Sequence, residues 1–182
     1  TSIGRRGMIL GTAGLATGVF AIGLGIAAVA PLVRNPWKGG PDAALWHTGW
    51  RPVNGETVYM RYDTGDPTEI ALVRPEDQEP GSMMTVFPFR ESERGSEEAL
   101  LNGLRRADNP TMLIRLRPGT VFVPAPGHEG LNYGDYVAYS KVCTHLGCPA
   151  SLFESQTNRI LCPCHQSQFV ASEHARPVFG PA

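Results

Sequence analysis

Four cysteines and two histidines crowd into two short stretches, and no other feature limits what this chain can fold into as much. The first stretch is Cys143-Thr144-His145-Leu146-Gly147-Cys148, and the second is Cys162-Pro163-Cys164-His165-Gln166-Ser167. They use all 4 cysteines of the chain and two of its 5 histidines. One stretch offers Cys143 and His145 as C-x-H; the other offers Cys162 and His165 as C-x-x-H. Two thiolates and two imidazoles can hold a [2Fe-2S] cluster asymmetrically, with the thiolates on one iron and the imidazoles on the other. The remaining pair, Cys148 and Cys164, sits at matching offsets and could close a disulfide between the two loops.

Other chemistries use some of these atoms. A zinc site of two cysteines and two histidines takes similar ligands, but it leaves two cysteines over and fits the C-x-H spacing poorly. A framework of two plain disulfides leaves both histidines without a role.

The strings C-T-H-L-G-C-P and C-P-C-H-x-S-x-F resemble those of the Rieske iron-sulfur proteins of cytochrome bc complexes, in residue types, in spacing and in the extra cysteine pair. The resemblance strictly covers Asp135 to Ala182. It implies an all-β head, an antiparallel sandwich or barrel with a small cluster-binding subdomain, preceded by one transmembrane helix. Cys143, His145, Cys162 and His165 would then be the ligands and Cys148–Cys164 the disulfide. Ser167 matches the serine that hydrogen-bonds a bridging sulfide. An outer nitrogen of His145 or His165 would face the quinol hydroxyl in the pocket of a cytochrome b subunit, coupling proton to electron. Leu146, Gly147, Pro149 and Pro163 would form an apolar tip that shields the cluster and docks it, and Gly180-Pro181 would begin the loop covering its third side. Soluble Rieske ferredoxins and ring-hydroxylating oxygenases share the ligand spacing, but as a family they lack the disulfide cysteines and the membrane segment.

Two positions depart from the family pattern. Many high-potential members carry Tyr where this chain has Phe169, and Gly often follows the second histidine where this chain has Gln166. Losing a donor to sulfur destabilises the reduced cluster and lowers its place in the Rieske range of about −150 to +300 mV. A low potential suits menaquinol, with ubiquinol the alternative quinol. With the twin arginine described below, the chain looks like the Rieske subunit of an actinobacterial cytochrome bcc complex, part of a quinol–cytochrome c reductase. That resemblance implies several partners: a cytochrome b subunit, a dihaem c-type cytochrome, a dimeric complex and assembly with a terminal oxidase. It also implies further membrane helices before this one.

Residues 8–33 form an uncharged apolar run, longer than the roughly 20 residues needed to cross a bilayer. Arg5-Arg6 precedes it, resembling a twin-arginine export signal or a positive-inside flank. Both place the head outside the cytoplasm at the cell membrane, where a disulfide persists. Small residues at Gly7, Gly11, Gly14 and Gly18 suit close approach of neighbouring helices. Net charge is −1, which gives no case for nucleic acid.

These features divide the chain into a membrane segment over 1–34 and a Pro/Gly hinge over 35–45. A β base domain over 46–133 follows, then the cluster-binding segment over 134–182, whose final strands are expected to be missing. Strands are expected near 56–62, 69–73, 83–89, 111–116 and 135–140, with a hairpin from 151 to 161. Ser96, Glu97 and Glu98 announce a helix over 97–107 as a surface insertion. His47, His128 and His174 lack a motif and read as ordinary histidines.

Overall fold

The computed structural model describes residues 4–33 and 47–182, the side chains of 30–33 excepted. The hinge expected over 35–45 lies outside the described residues. The chain divides into two units, Thr1–His47 and Thr48–Ala182.

The first unit holds helix α1, Arg5–Val33. After Arg6 the helix carries no charged residue, and its described side chains are exposed on every face. A helix apolar all round has no polar face to turn to water. At about 1.5 Å per residue it is about 43 Å long, more than the hydrocarbon core of about 30 Å. The hydroxyls of Thr12 and Thr17 donate to the carbonyls of Met8 and Ala13, each at 2.9 Å, so neither enters lipid unpaired. The helix fits a membrane anchor.

The second unit is mostly β, in two antiparallel four-stranded sheets. The first runs β1 (Tyr59–Arg61), β2 (Ser82–Phe89), β3 (Thr111–Arg115) and β4 (Tyr136–Ser140) in that order. The second runs β5 (Leu152–Glu154), β6 (Arg159–Leu161), β7 (Gln168–Val170) and β8 (Arg176–Phe179). This is the antiparallel, all-β head that the sequence led us to expect. β2 pairs with β3 over Ser82–Val86 and with β1 over Phe87–Phe89. Pro88 therefore falls past the end of the β3 register, where a missing N–H breaks no ladder bond on that side.

Met112, Ile114 and Val137 from the first sheet, with Leu116 just past β3, bury with Ile160 and Phe169 from the second and Ala171 just past β7. The same core takes in Cys143 and Cys162, so the floor of the motif loops is part of the head's packing. Helix α2, Glu97–Arg105, is capped by the Ser96 hydroxyl, which accepts from the Ala99 amide. It buries Leu100 towards β2, while Arg106 turns outward to Asp108 at 2.6 Å.

Two polar side chains hold this face from within. Arg61, only 1% exposed, donates to the Leu100 carbonyl at 2.6 Å. Asn109 accepts from the Gly49 amide at 2.9 Å and donates to the Gly103 carbonyl at 2.7 Å. Most buried polar groups are paired in this way. Neither role was visible in the sequence.

Candidate metal centre

Both motif stretches are the tips of β-hairpin-like returns. β4 leads through Lys141 into the first tip, which is closed by a bridge between Val142 and Pro149. Inside it the Cys143 amide donates to the Cys148 carbonyl and the Gly147 amide to the Cys143 carbonyl, both at 2.9 Å. Gly147 has φ +76°, a backbone state that glycine adopts at little cost. This turn throws Thr144, His145 and Leu146 outward. The second tip joins β6 to β7 and is closed by the Cys162 amide donating to the Ser167 carbonyl at 2.9 Å. Gln166 sits there with φ +59°. The left-handed region is costly for a side chain with a Cβ, which explains physically why glycine suits this position.

The two tips meet. The His145 and His165 rings stand edge to face, centroids 4.8 Å apart. Cys143 and Cys162 are buried side by side, at 5% and 2% exposure, their thiols hydrogen-bonded. Burial pushes the Cys143 thiol up, and Cys162 adds to this against the amide of His145. Burial pushes Cys162 upward as well, but it is outweighed. The amides of Cys164 and His165 and the Cys143 thiol donate to its sulfur and hold it below the ordinary thiol range. These donors favour negative charge on the Cys162 sulfur, the state in which a thiol can ligate a metal.

All four cysteines carry free thiols. Cys148 and Cys164 are hydrogen-bonded to each other, which pushes the Cys164 thiol up to about 11. The sulfurs of Cys148, Cys162 and Cys164 all lie within 4.8 Å of one another. Cys162 therefore stands between the two pairs, next to Cys143 on one side and to the Cys148–Cys164 contact on the other.

The remaining candidate residues surround this point. Leu146 is 71% exposed, and Gly147, Pro149, Pro163, Gln166 and Pro181 are exposed with it. Ser167 is wholly buried, yet its hydroxyl has no partner. A buried donor without an acceptor is rare and calls for an explanation. Here it fits a group that brings acceptor sulfur to the tips. With two thiols, two imidazoles and thiolate-directed amides, the residues present fit a [2Fe-2S] cluster.

Comparison with known proteins agrees. Residues 92–182 match the Rieske [2Fe-2S] domain. The chain belongs to the Rieske iron-sulfur subunits. Residues 1–65 match the QcrA subunit N-terminal region. The cytochrome bc1 complex Rieske iron-sulfur subunit of Mycobacterium tuberculosis (strain ATCC 25618 / H37Rv) is 43% identical over 201 aligned residues, taking in all of this chain and 46% of that protein. The subunit of the same name from Corynebacterium glutamicum is 40% identical over all of this chain and 53% of its own length. That from Streptomyces lividans is 38% identical over 78% of this chain and 75% of its own length. The chain thus spans about half the length of the first two of these relatives.

Phe169 carries the first testable consequence. It pairs with Ile160 across β6 and lies 7% exposed in the core. With Cys143 it lines a cavity of about 200 Å³, shared with Tyr139, Ser140 and Thr144. Because Phe169 and Cys143 line the same cavity, a hydroxyl added to this ring is expected to come within reach of the Cys143 sulfur. Phe169→Tyr is expected to raise the cluster midpoint by about 40 mV, from one hydrogen bond of about 1 kcal/mol acting on a one-electron couple. A redox titration followed by EPR measures this, and an unchanged midpoint rejects the role given to Phe169.

Three features of the site were not read from sequence: the strands β7 and β8 that carry its far side, the amides directed at Cys162, and the closeness of Gly180 to Ser167. Of these, the sequence offered only Gly180-Pro181, which the family resemblance marked as the start of a covering loop.

Proposed function

We propose that this chain is the electron-transfer subunit of a menaquinol:cytochrome c oxidoreductase, passing one electron from quinol to a c-type haem. The observation that carries the reading is the meeting of the two tips, which puts Cys143 beside Cys162 and His145 beside His165 within a Rieske domain. Cys143, His145, Cys162 and His165 would hold the [2Fe-2S] cluster, which supplies one-electron redox chemistry at a potential raised by histidine ligation. His165 is exposed and His145 half-buried, so we assign the quinol-facing nitrogen to His165. That nitrogen takes the quinol proton as the electron leaves. The exposed Leu146, Pro149 and Pro163 give the tip an apolar rim to seat against a cytochrome b subunit and exclude water. Cys148 and Cys164 are in contact and would join the tips by a disulfide, which suits a head on the extracytoplasmic side of the cell membrane. A dihaem c-type cytochrome, a dimeric complex and a terminal oxidase would be the further partners.

The sulfur trio Cys148, Cys162 and Cys164 favours one competing reading, a mononuclear thiolate site such as zinc. That site predicts a colourless protein without acid-labile sulfide.

The test uses membranes containing the full complex. Anaerobic addition of a menaquinol is expected to produce both the EPR signal of the reduced cluster and the absorbance of a reduced c-type haem. His165→Ala is expected to lose both. Undiminished haem reduction in that variant would sink the proposal.

A further inference from the structure

We propose that Gly180 is a positioning residue for the cluster. Its bare Cα lets the chain after β8 close over Ser167 and hold the Ser167 hydroxyl towards the cluster. The inference deepens the reading that Ser167 donates to cluster sulfur, and rests on it.

β8 ends at Phe179, paired with Gln168. The chain therefore crosses Ser167 at the next residue. Gly180 has φ +86°, and a Cβ there would lie 2.6 Å from the Ser167 Cα, 2.9 Å from its amide nitrogen and 3.1 Å from its Oγ. The first two are backbone atoms, which no rotamer change can move aside. Nor is Ser167 free to retreat, because its carbonyl accepts from the amide of Cys162. Moving Ser167 therefore pulls on a ligand residue. A side chain at 180 must either lift the closing segment or displace Ser167. Lifting the segment lets water reach a hydroxyl that is now wholly buried with no partner. Displacement turns the hydroxyl away. Either way, donation to the cluster weakens and the reduced state loses stabilisation.

The experiment is a redox titration by EPR of the cluster-loaded full-length subunit in membranes, for Gly180→Ala, Ser167→Ala and the double variant. Iron content fixes the loaded fraction, so only loaded protein is compared. Ser167→Ala is expected to lower the reduction equilibrium about tenfold, which is a fall of 59 mV for a one-electron couple. Gly180→Ala is expected to reproduce most of that fall, and the double variant to lie no lower than Ser167→Ala alone. An unmoved Ser167→Ala midpoint removes the donor role of Ser167, and the role of Gly180 with it. A fall in Ser167→Ala with a wild-type midpoint in Gly180→Ala overturns the Gly180 proposal alone. So does strict additivity of the two shifts. If Gly180→Ala retains no cluster, Pro181→Gly slackens the same segment without adding a Cβ. It is expected to lower the midpoint in the same direction, and an unchanged midpoint there overturns the proposal.

Discussion

Cys162→Ser is expected to strip the subunit of its cluster, abolishing the rhombic EPR signal, the bound iron and quinol-dependent haem reduction together. The size of the effect follows from where Cys162 sits. It is 2% exposed, and the amides of Cys164 and His165 and the Cys143 thiol all direct hydrogens at its sulfur. That arrangement is matched to a thiolate. A serine hydroxyl stays protonated at neutral pH and binds iron more weakly than sulfur does, so the same donors would face a poor ligand in a dry site. The fold is expected to survive, because serine is close to cysteine in size and the other core residues Met112, Ile114, Ile160 and Phe169 are unchanged. Circular dichroism of the variant checks this. A Cys162→Ser protein that keeps iron and its signal would remove Cys162 from the ligand set and return attention to Cys148 and Cys164.

Cys148→Ser carries the second large effect. The proposed disulfide between Cys148 and Cys164 would close a segment of about 15 residues. By loop entropy its loss lowers the head's melting temperature by roughly 10 °C. The functional loss goes further than the thermal one. Without the bond, Cys164 is a free, exposed thiol within 4.8 Å of Cys162, able to pair with it and remove a ligand. We therefore expect the variant to load its cluster, then lose it under mild thiol oxidants while the wild-type protein keeps it. Time courses of EPR amplitude in oxidised glutathione measure this. Equal retention in both proteins would argue against the bond.

The residues themselves account for what was legible in the sequence. β2 was marked by an apolar run that follows the turn signal Pro80-Gly81, β3 by one that ends at Pro118-Gly119, and β4 by a run leading directly into the first motif stretch. α2 was marked by a capping serine with two acids behind it. The stretch 56–62 yielded only Tyr59–Arg61 as strand. Glu56 is taken up in a turn, its amide donating to the Val53 carbonyl and its carboxylate accepting from Ser92. Residues 69–73 gave only a bridge between Leu72 and Arg61. β7 and β8 are three and four residues long, with a register shift between them. Strands so short and irregular show no period of two.

Ligand types at the site were readable because sulfur and imidazole chemistry allows few substitutes. The arrangement that tunes them was not, because it is made of backbone. The amides at Cys162, the left-handed turn at Gln166 and the close pass of Gly180 leave little trace in side-chain pattern.

The most direct test is a low-temperature EPR spectrum of the dithionite-reduced subunit, taken with iron and acid-labile sulfide content. The account predicts equal iron and sulfide and a rhombic signal whose average g lies below that of all-cysteine clusters, the mark of histidine on one iron. A spectrum of the all-cysteine type would contradict the roles of His145 and His165. A silent spectrum with bound zinc would contradict the cluster itself.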